Sequence, residues 1–307
     1  MAGVWAVIFV YVLFFCAASC QQIYSDDKNY CDRNDQTIEI LNEKIEYLRQ
    51  ENAKQMDSLK QEIARIKKNE TNIHEDLKSS ILETIKSEFY KDCKKLYIHG
   101  NTESGVYEIY PFGIESKVSV FCDMMTEGGG WTAIQKRVNG SVSFDRTWTD
   151  YKTGFGNPNA SYWIGNDVIH QLTKRGNSSL YVSITLTNGT KLYELYNQFS
   201  VADETSKYRL FLGGPATGTL GDSMFDTGIP DQFDLSGMSF STPDRDNDGW
   251  NYNCATWSDL RGGWWFNYCH LAFLNGPWSP GDWIYPWYPT VTNGKQIKET
   301  RMMIKPT

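Results

Sequence analysis

An α+β globe built on an antiparallel sheet, preceded by one long coiled-coil helix, is the fold class this sequence predicts, and three observations carry it. All ten prolines, and every glycine except Gly3, lie at or beyond Gly100. Residues 32–92 contain no glycine, proline or tryptophan, whereas ten of the eleven tryptophans lie beyond Gly130. Beyond Cys93, short alternating apolar runs separated by glycine and asparagine turns outnumber helical patterns, which is the mixture expected of an α+β domain.

Residues 1–20 open with an apolar run from Val4 to Phe15 and end in Ala17, Ala18 and Ser19, as a secretory signal peptide with a small-residue cleavage site does. The expected mature product is secreted and extracellular, with no membrane span, because no other apolar stretch is long enough for one. Five Asn-x-Ser/Thr sequons, at Asn69, Asn139, Asn159, Asn177 and Asn188, agree with that compartment.

A short segment, 21–35, then carries Cys31 ahead of the coiled coil expected over 36–90. Ile38, Leu41, Ile45, Leu48 and Asn52 alternate three and four residues apart, as a coiled-coil seam requires. After a four-residue step from Asn52, Met56, Leu59, Ile63, Ile66, Ile73 and Leu77 resume the spacing, so the seam contains a stutter that locally unwinds the supercoil. The expected product is a homo-oligomer. Isoleucine at a with leucine at d, and Asn52 at an a position, favour two strands; Ile66 and Ile73 at d favour three. Parallel helices would bring equivalent Cys31 thiols together, which predicts an interchain disulfide there.

Residues 91–307 are long enough for one large domain. Strands are expected at Gly105 to Tyr110, Lys117 to Cys122, Thr132 to Arg137, Leu180 to Thr187, Lys191 to Val201 and Tyr208 to Leu212, with a helix at Ile164 to Leu172. Outside the signal peptide the cysteines are Cys31, Cys93, Cys122, Cys254 and Cys269, an odd number that suggests two internal bridges and one thiol for bonding between chains. Nearness in sequence favours Cys93 with Cys122 and Cys254 with Cys269, although four cysteines allow three pairings.

A net charge of −7 with a pI near 5.2 argues against a nucleic-acid partner, which needs a basic footprint. No G-x-S-x-G, H-E-x-x-H or phosphate loop is present, so the chain reads as a non-enzyme. The most informative segment is DRDNDGWNYNCATWSDLRGGWWFNYCH, from Asp244 to His270. Asp244, Asp246, Asp248 and Gly249 imitate the opening of an EF-hand loop, but the twelfth position, where a bidentate glutamate belongs, is Ala255. Such a loop holds calcium through a few carboxylate oxygens, backbone carbonyls and waters, at roughly 10⁻⁴ to 10⁻³ M as in extracellular modules, or it is a solvated acidic turn without metal. Trp257, Trp265, Trp278 and Tyr285 are candidate aromatic walls for a ligand, while Trp264 is expected in the core.

Several ordered segments resemble the fibrinogen-related domain of fibrinogen chains, ficolins, tachylectins and angiopoietins. They include SGVYEIYP at Ser104, VFCDMMTEGGGWTAIQKR at Val120, YKTGFG at Tyr151, YWIGND at Tyr162, FSTPDRDND, GGWW, the Cys269–His270 pair and the closing MMIKP. The resemblance implies calcium held by Asp246, Asp248 and the carbonyls of Trp250 and Tyr252, with Asp244 as a supporting neighbour, and disulfides Cys93–Cys122 and Cys254–Cys269. In the lectin branch it also implies an acetyl-binding pocket at Tyr268, Cys269 and His270, with a cis peptide before the second cysteine. Leu271, Ala272 and Phe273 depart from the serine and asparagine common in the lectins.

The expected function is that of a multivalent, calcium-dependent lectin that binds acetylated glycans such as N-acetylglucosamine on microbial surfaces in innate immunity. The alternative is an angiopoietin-like ligand of a cell-surface receptor.

Overall fold

The computed structural model describes residues 28–114, 116–225, 233–257, 261–278 and 284–307, with the side chains of 28–34, 83, 86–89, 284 and 285 outside that description. The expected signal peptide and the Cys31 thiol therefore lie outside it. Contacts divide the chain into two units, residues 1–79 and 80–307.

Helix α1, Lys28–Phe89, runs uninterrupted for 62 residues, because nothing in its sequence breaks the ladder of backbone bonds. The seam side chains Leu41, Leu48, Met56, Leu59, Ile63, Ile66, Ile73 and Leu77 are all exposed in the single chain.

The second unit begins where Asp92, in an extended conformation, accepts a bond from Lys95 N at 2.8 Å and so caps α2, Cys93–Ile98. Strands β1 (Gly105–Ile109), β2 (Val118–Asp123) and β3 (Trp131–Arg137) follow, then α3 (Trp148–Thr153), β4 (Phe155–Gly156), β5 (Tyr162–Trp163) and α4 (Asn166–Thr173). The remaining elements are β6 (Ser178–Leu186), β7 (Lys191–Val201), β8 (Leu210–Gly213), β9 (Thr217–Gly218), β10 (Ile284–Trp287), β11 (Val291–Asn293) and β12 (Ile297–Pro306). The main sheet runs β1-β2-β3-β12-β6-β7-β8, with every adjacent pair antiparallel. β12 returns from the far end of the sequence to lie between β3 and β6. At the β6–β7 turn, Asn188 Oδ1 accepts from Thr190 N and Gly189 takes φ 88°, a conformation glycine adopts without a Cβ penalty.

A disulfide joins Cys93 to Cys122, tying α2 to β2, and a second joins Cys254 to Cys269, so the sequence's favoured pairing is the one formed. The core centres on Trp163, Trp264, Trp265, Tyr151 and Phe240, all buried and in mutual ring contact. The GG of GGWW explains how: a Cβ on Gly263 would come within 2.8 Å of the Tyr151 and Phe240 rings, so only glycine lets the backbone approach closely enough to bury both tryptophans behind it. The five sequon asparagines are exposed.

Candidate functional site

The acidic loop is pinned from both ends before it offers anything to a ligand. Ser241 bridges Trp264, and Asn247 donates from its backbone to Ser241 Oγ and from Nδ2 to Phe240 O, each at 2.9 Å. Asp244 is consumed structurally: its Oδ1 accepts from Trp148 N, at the start of α3, and from Thr242 Oγ1, both at 2.8 Å.

Asp246 and Asp248 remain. Asp246 is exposed and its Oδ1 accepts from Asp248 N at 3.2 Å. Asp248 is half-buried; Oδ1 accepts from Trp250 N at 2.9 Å and Oδ2 from Cys254 N at 2.8 Å. Its carboxyl is pushed up to about 6, chiefly by burial, with the neighbouring Asp246 carboxylate adding to the rise against the two backbone donors. Among the described residues no Lys or Arg forms a salt bridge with either carboxylate. Nor do three Asp, Glu, His or Cys side chains gather in metal-binding geometry among them. The donor set fits a hard cation only as two carboxylates completed by backbone carbonyls and waters, and two adjacent acids in no salt bridge are the chemistry such an ion relieves. Asp246, Asp248 and the carbonyls of Trp250 and Tyr252 could hold it.

The disulfide fastens this loop to the next. Asn253 caps the turn at Cys254–Thr256 by accepting from Ala255 N at 2.8 Å, and Gly249 N donates to Asn267 O at 3.1 Å. Asn267 N in turn donates to Cys269 O. The expected cis peptide before Cys269 is absent: the cis bonds among the described residues are Gly214–Pro215 and Tyr288–Pro289. Cys269 instead turns the chain with φ 57°, in the left-handed region. That turn closes the tight Asn267–Cys269 bridge.

The expected ligand residues fall into different places. His270 is half-buried between Phe266 and Phe273, with ring centroids at 5.9 and 5.0 Å. Trp265 is corrected: it is fully buried and its Nε1 donates to Tyr208 O at 2.8 Å, so it belongs to the core and faces no ligand. Trp278 is half-buried over the Arg137 guanidinium, 5.0 Å away, and against Gly140. The side chain of Tyr285 lies outside the described residues. Trp257 and Tyr268, by contrast, come together with two aromatics that the sequence reading used only for their carbonyls. The Trp250 ring lies 4.6 Å from Trp257, 5.1 Å from Tyr252 and 5.6 Å from Tyr268. Tyr252 is 64% exposed, Trp257 50% and Tyr268 46%, so this is an open aromatic surface beside the carboxylate pair. The spacing WNYNCATW was the available signal, since the aromatics at 250, 252 and 257 flank Cys254, whose bond to Cys269 brings Tyr268 to the same place.

Residues 89–307 match the family described as the C-terminal globular domain of fibrinogen beta and gamma chains. The chain belongs to that family. It is 39% identical to bovine (Bos taurus) angiopoietin-4 over 230 residues, 72% of this chain and 43% of the relative. It is 41% identical to rat (Rattus norvegicus) fibrinogen-like protein 1 over 230 residues, 71% of this chain and 72% of the relative. The fibrinogen-like globe domain of human ANGPTL6 superposes with a TM-score of 0.62 at 36% identity, covering 71% of this chain and 96% of that one. The chain thus spans less than half of the angiopoietin, and most of the shorter relative. Relatives of this kind are secreted ligand and recognition proteins rather than enzymes. No described helix is long and apolar enough to cross a membrane.

Proposed function

We propose that this protein is a secreted, oligomeric, angiopoietin-like ligand whose globe docks on a cell-surface receptor protein through the Trp250, Tyr252, Trp257 and Tyr268 surface. One observation carries the reading: large aromatics stand exposed on a loop braced by a disulfide, and exposed Trp and Tyr on a rigid support are the residues that dominate protein interfaces. The identities to angiopoietin-4 and to the ANGPTL6 globe support it.

The second reading is the lectin for acetylated glycans. It draws on half-buried His270 beside Cys269, but Trp265 is unavailable as a wall of its pocket and Trp278 is engaged by Arg137. Cell-binding assays with labelled full-length protein separate the two. The receptor reading expects binding to be abolished by trypsin treatment of the cells and untouched by free N-acetylglucosamine, with Trp257→Ala weakening it at least about tenfold, as loss of a 1.4 kcal/mol contact does. Competition by the sugar, together with loss of binding in His270→Ala, would decide for the lectin.

Calcium is assigned a supporting part, stiffening the loop that carries the aromatics. The proton and the cation compete for Asp248. Without metal the folded state holds its proton more tightly than the unfolded state, so the ionised carboxyl penalises folding as pH rises from about 4 and does so fully above about 6. Calcium should therefore stabilise most above pH 6 and lose its effect below. At about 5 mM calcium, affinities of about 10⁻⁴ to 10⁻³ M correspond to about 1–2 kcal/mol, or a Tm rise of about 2–8 °C at pH 7.5. Scanning calorimetry with calcium and with chelator, at pH 7.5 and 5.0, measures this. Asp246→Asn with an undiminished calcium shift would remove the assignment.

A further inference from the structure

A second site lies far from the acidic loop in sequence, where the link from α1 to α2, the end of α4 with the residues after it, and the end of β12 surround a cavity of about 330 Å³. Its apolar walls include Pro111, Phe112, Leu172 and Pro306. Cations crowd it. Arg175 lines the cavity and lays its guanidinium over the exposed Phe112 ring at 3.2 Å, with Lys174 Nζ 5.9 Å from the same ring. Lys91 lines it too, and Lys94 Nζ donates to Pro306 O at 2.7 Å. Lys305, the residue before Pro306, bonds Gly129 O and Glu127 O, and burial together with the nearby Lys94 charge lowers its ammonium below the usual lysine range.

Among the described residues none of these five cations is in a salt bridge. Among the described residues Asp92 is the one carboxylate lining the cavity; it is buried, accepts from Lys95 N and is drawn on by the Lys91 and Lys94 charges. In a chain of net charge −7, two cations lining one cavity, with Lys174, Lys94 and Lys305 nearby and one buried carboxylate against them, are a local exception that costs like-charge repulsion. The guanidinium fork matches a tetrahedral oxyanion, and the part of the Phe112 ring that Arg175 leaves exposed suits a sugar ring.

We propose that this cavity binds a sulfated glycosaminoglycan, with Lys174 and Arg175 holding sulfate groups at its mouth and Phe112 carrying a sugar ring. Among polyanions, sulfated glycans are the class this chain would meet, because its two formed disulfides belong to an oxidising compartment rather than to one that holds nucleic acid. The site is independent of the acidic loop and of calcium.

The test is binding of the full chain to immobilised heparin at about 150 mM NaCl, where surface charges separated by more than about 8 Å no longer act together and only a concentrated site holds. Retention is expected for the native chain and not on chemically desulfated heparin. Lys174→Glu with Arg175→Glu should weaken binding at least about tenfold, and the milder Lys174→Gln with Arg175→Gln by a smaller factor, since each exposed cation contributes up to about 1 kcal/mol. Both residues are exposed, so an unchanged melting curve controls for folding. Lys67→Glu with Lys68→Glu, on the N-terminal helix, should leave binding unchanged. The proposal falls if the native chain is not retained, if the Lys174 and Arg175 variants bind like the native chain, if the Lys67 and Lys68 variant is the one that fails, or if chelator elutes the protein.

Discussion

Arg137→Met is expected to lower the melting temperature of the globe by about 10 °C while leaving its disulfides and sheet order intact. Arg137 is 1% exposed at the end of β3, with Nη1 donating to the carbonyls of Leu274 and Gly276 and its guanidinium 4.2 Å from the Phe144 ring and 5.0 Å from Trp278. Burial pushes that guanidinium down to about 9, so the charge itself is a cost of folding. What it returns is the anchoring of residues 274–278 to the central sheet. Methionine has similar length and removes the buried charge, yet it takes the donor from the Gly276 carbonyl and leaves the Leu274 carbonyl with Gln135 Nε2 alone. Leaving a buried acceptor unpaired costs about 1–3 kcal/mol, losing the guanidinium's contacts with the Phe144 and Trp278 rings adds about 1–2 kcal/mol, and in a domain of this size each kcal/mol is worth about 2–4 °C. Arg137→Lys should fall between the two, because an ammonium keeps the charge but lacks the fork that reaches both carbonyls. Differential scanning calorimetry reads the effect. A Met variant melting within about 2 °C of the native chain would mean that the loop is held by its other contacts.

Arg137 also marks where the sequence stops being readable. Its strand was legible, as were β1, β2, β6, β7, β8 and α4, each within two or three residues of its expected bounds, because period-two and helical patterns are local. β12 was not identified as a strand. Its burial does not alternate: Met302, Met303 and Ile304 are all buried, as befits a strand flanked on both edges, and Arg301 beside them is stabilised by Asp123, 178 residues away. The short helix α3 was missed although Thr147 and Asp150 form a complete capping box, a three-residue signal that a six-residue helix barely exceeds.

The site divides the same way. The pinned carboxylates and the disulfide were visible as spacing along one segment. Which aromatics point outward was not, since Trp264 and Trp265 are both buried only because Gly263 meets Tyr151 and Phe240, partners from elsewhere in the chain. Asp244, similarly, spends its carboxylate on Trp148, 96 residues earlier. Local pattern gives the element; the partner that decides a side chain's task is set by the fold.

Lysine at Ile45 and Ile63 together is expected to convert the assembly into monomers. Helix α1 is about 90 Å long at 1.5 Å per residue, and its seam leaves Leu48 51% exposed, Met56 55%, Leu59 58%, Ile63 52% and Ile66 56% in the single chain. Burying one such side chain contributes about 1.5–3 kcal/mol, and the proposed oligomer gives the seam its stabilising partner in further copies of itself. Two lysines on one stripe, on either side of the stutter, would place like charges against each other in both segments of the seam, which a single substitution confined to one segment would not. Sedimentation at micromolar protein, under reducing conditions so that a Cys31 disulfide cannot mask dissociation, should show the native chain as an oligomer and the variant at the monomer mass. The globe is untouched by either change, so its melting transition should persist. Binding to a surface that displays many receptor copies should nevertheless fall by about 10² to 10⁴, because tethered globes bind at high effective concentration and free ones do not. Binding to a single immobilised receptor should barely move, and that contrast separates avidity from damage to the aromatic surface. A native chain that sediments as a monomer would leave the exposed seam without its proposed partner and the affinity resting on one globe alone.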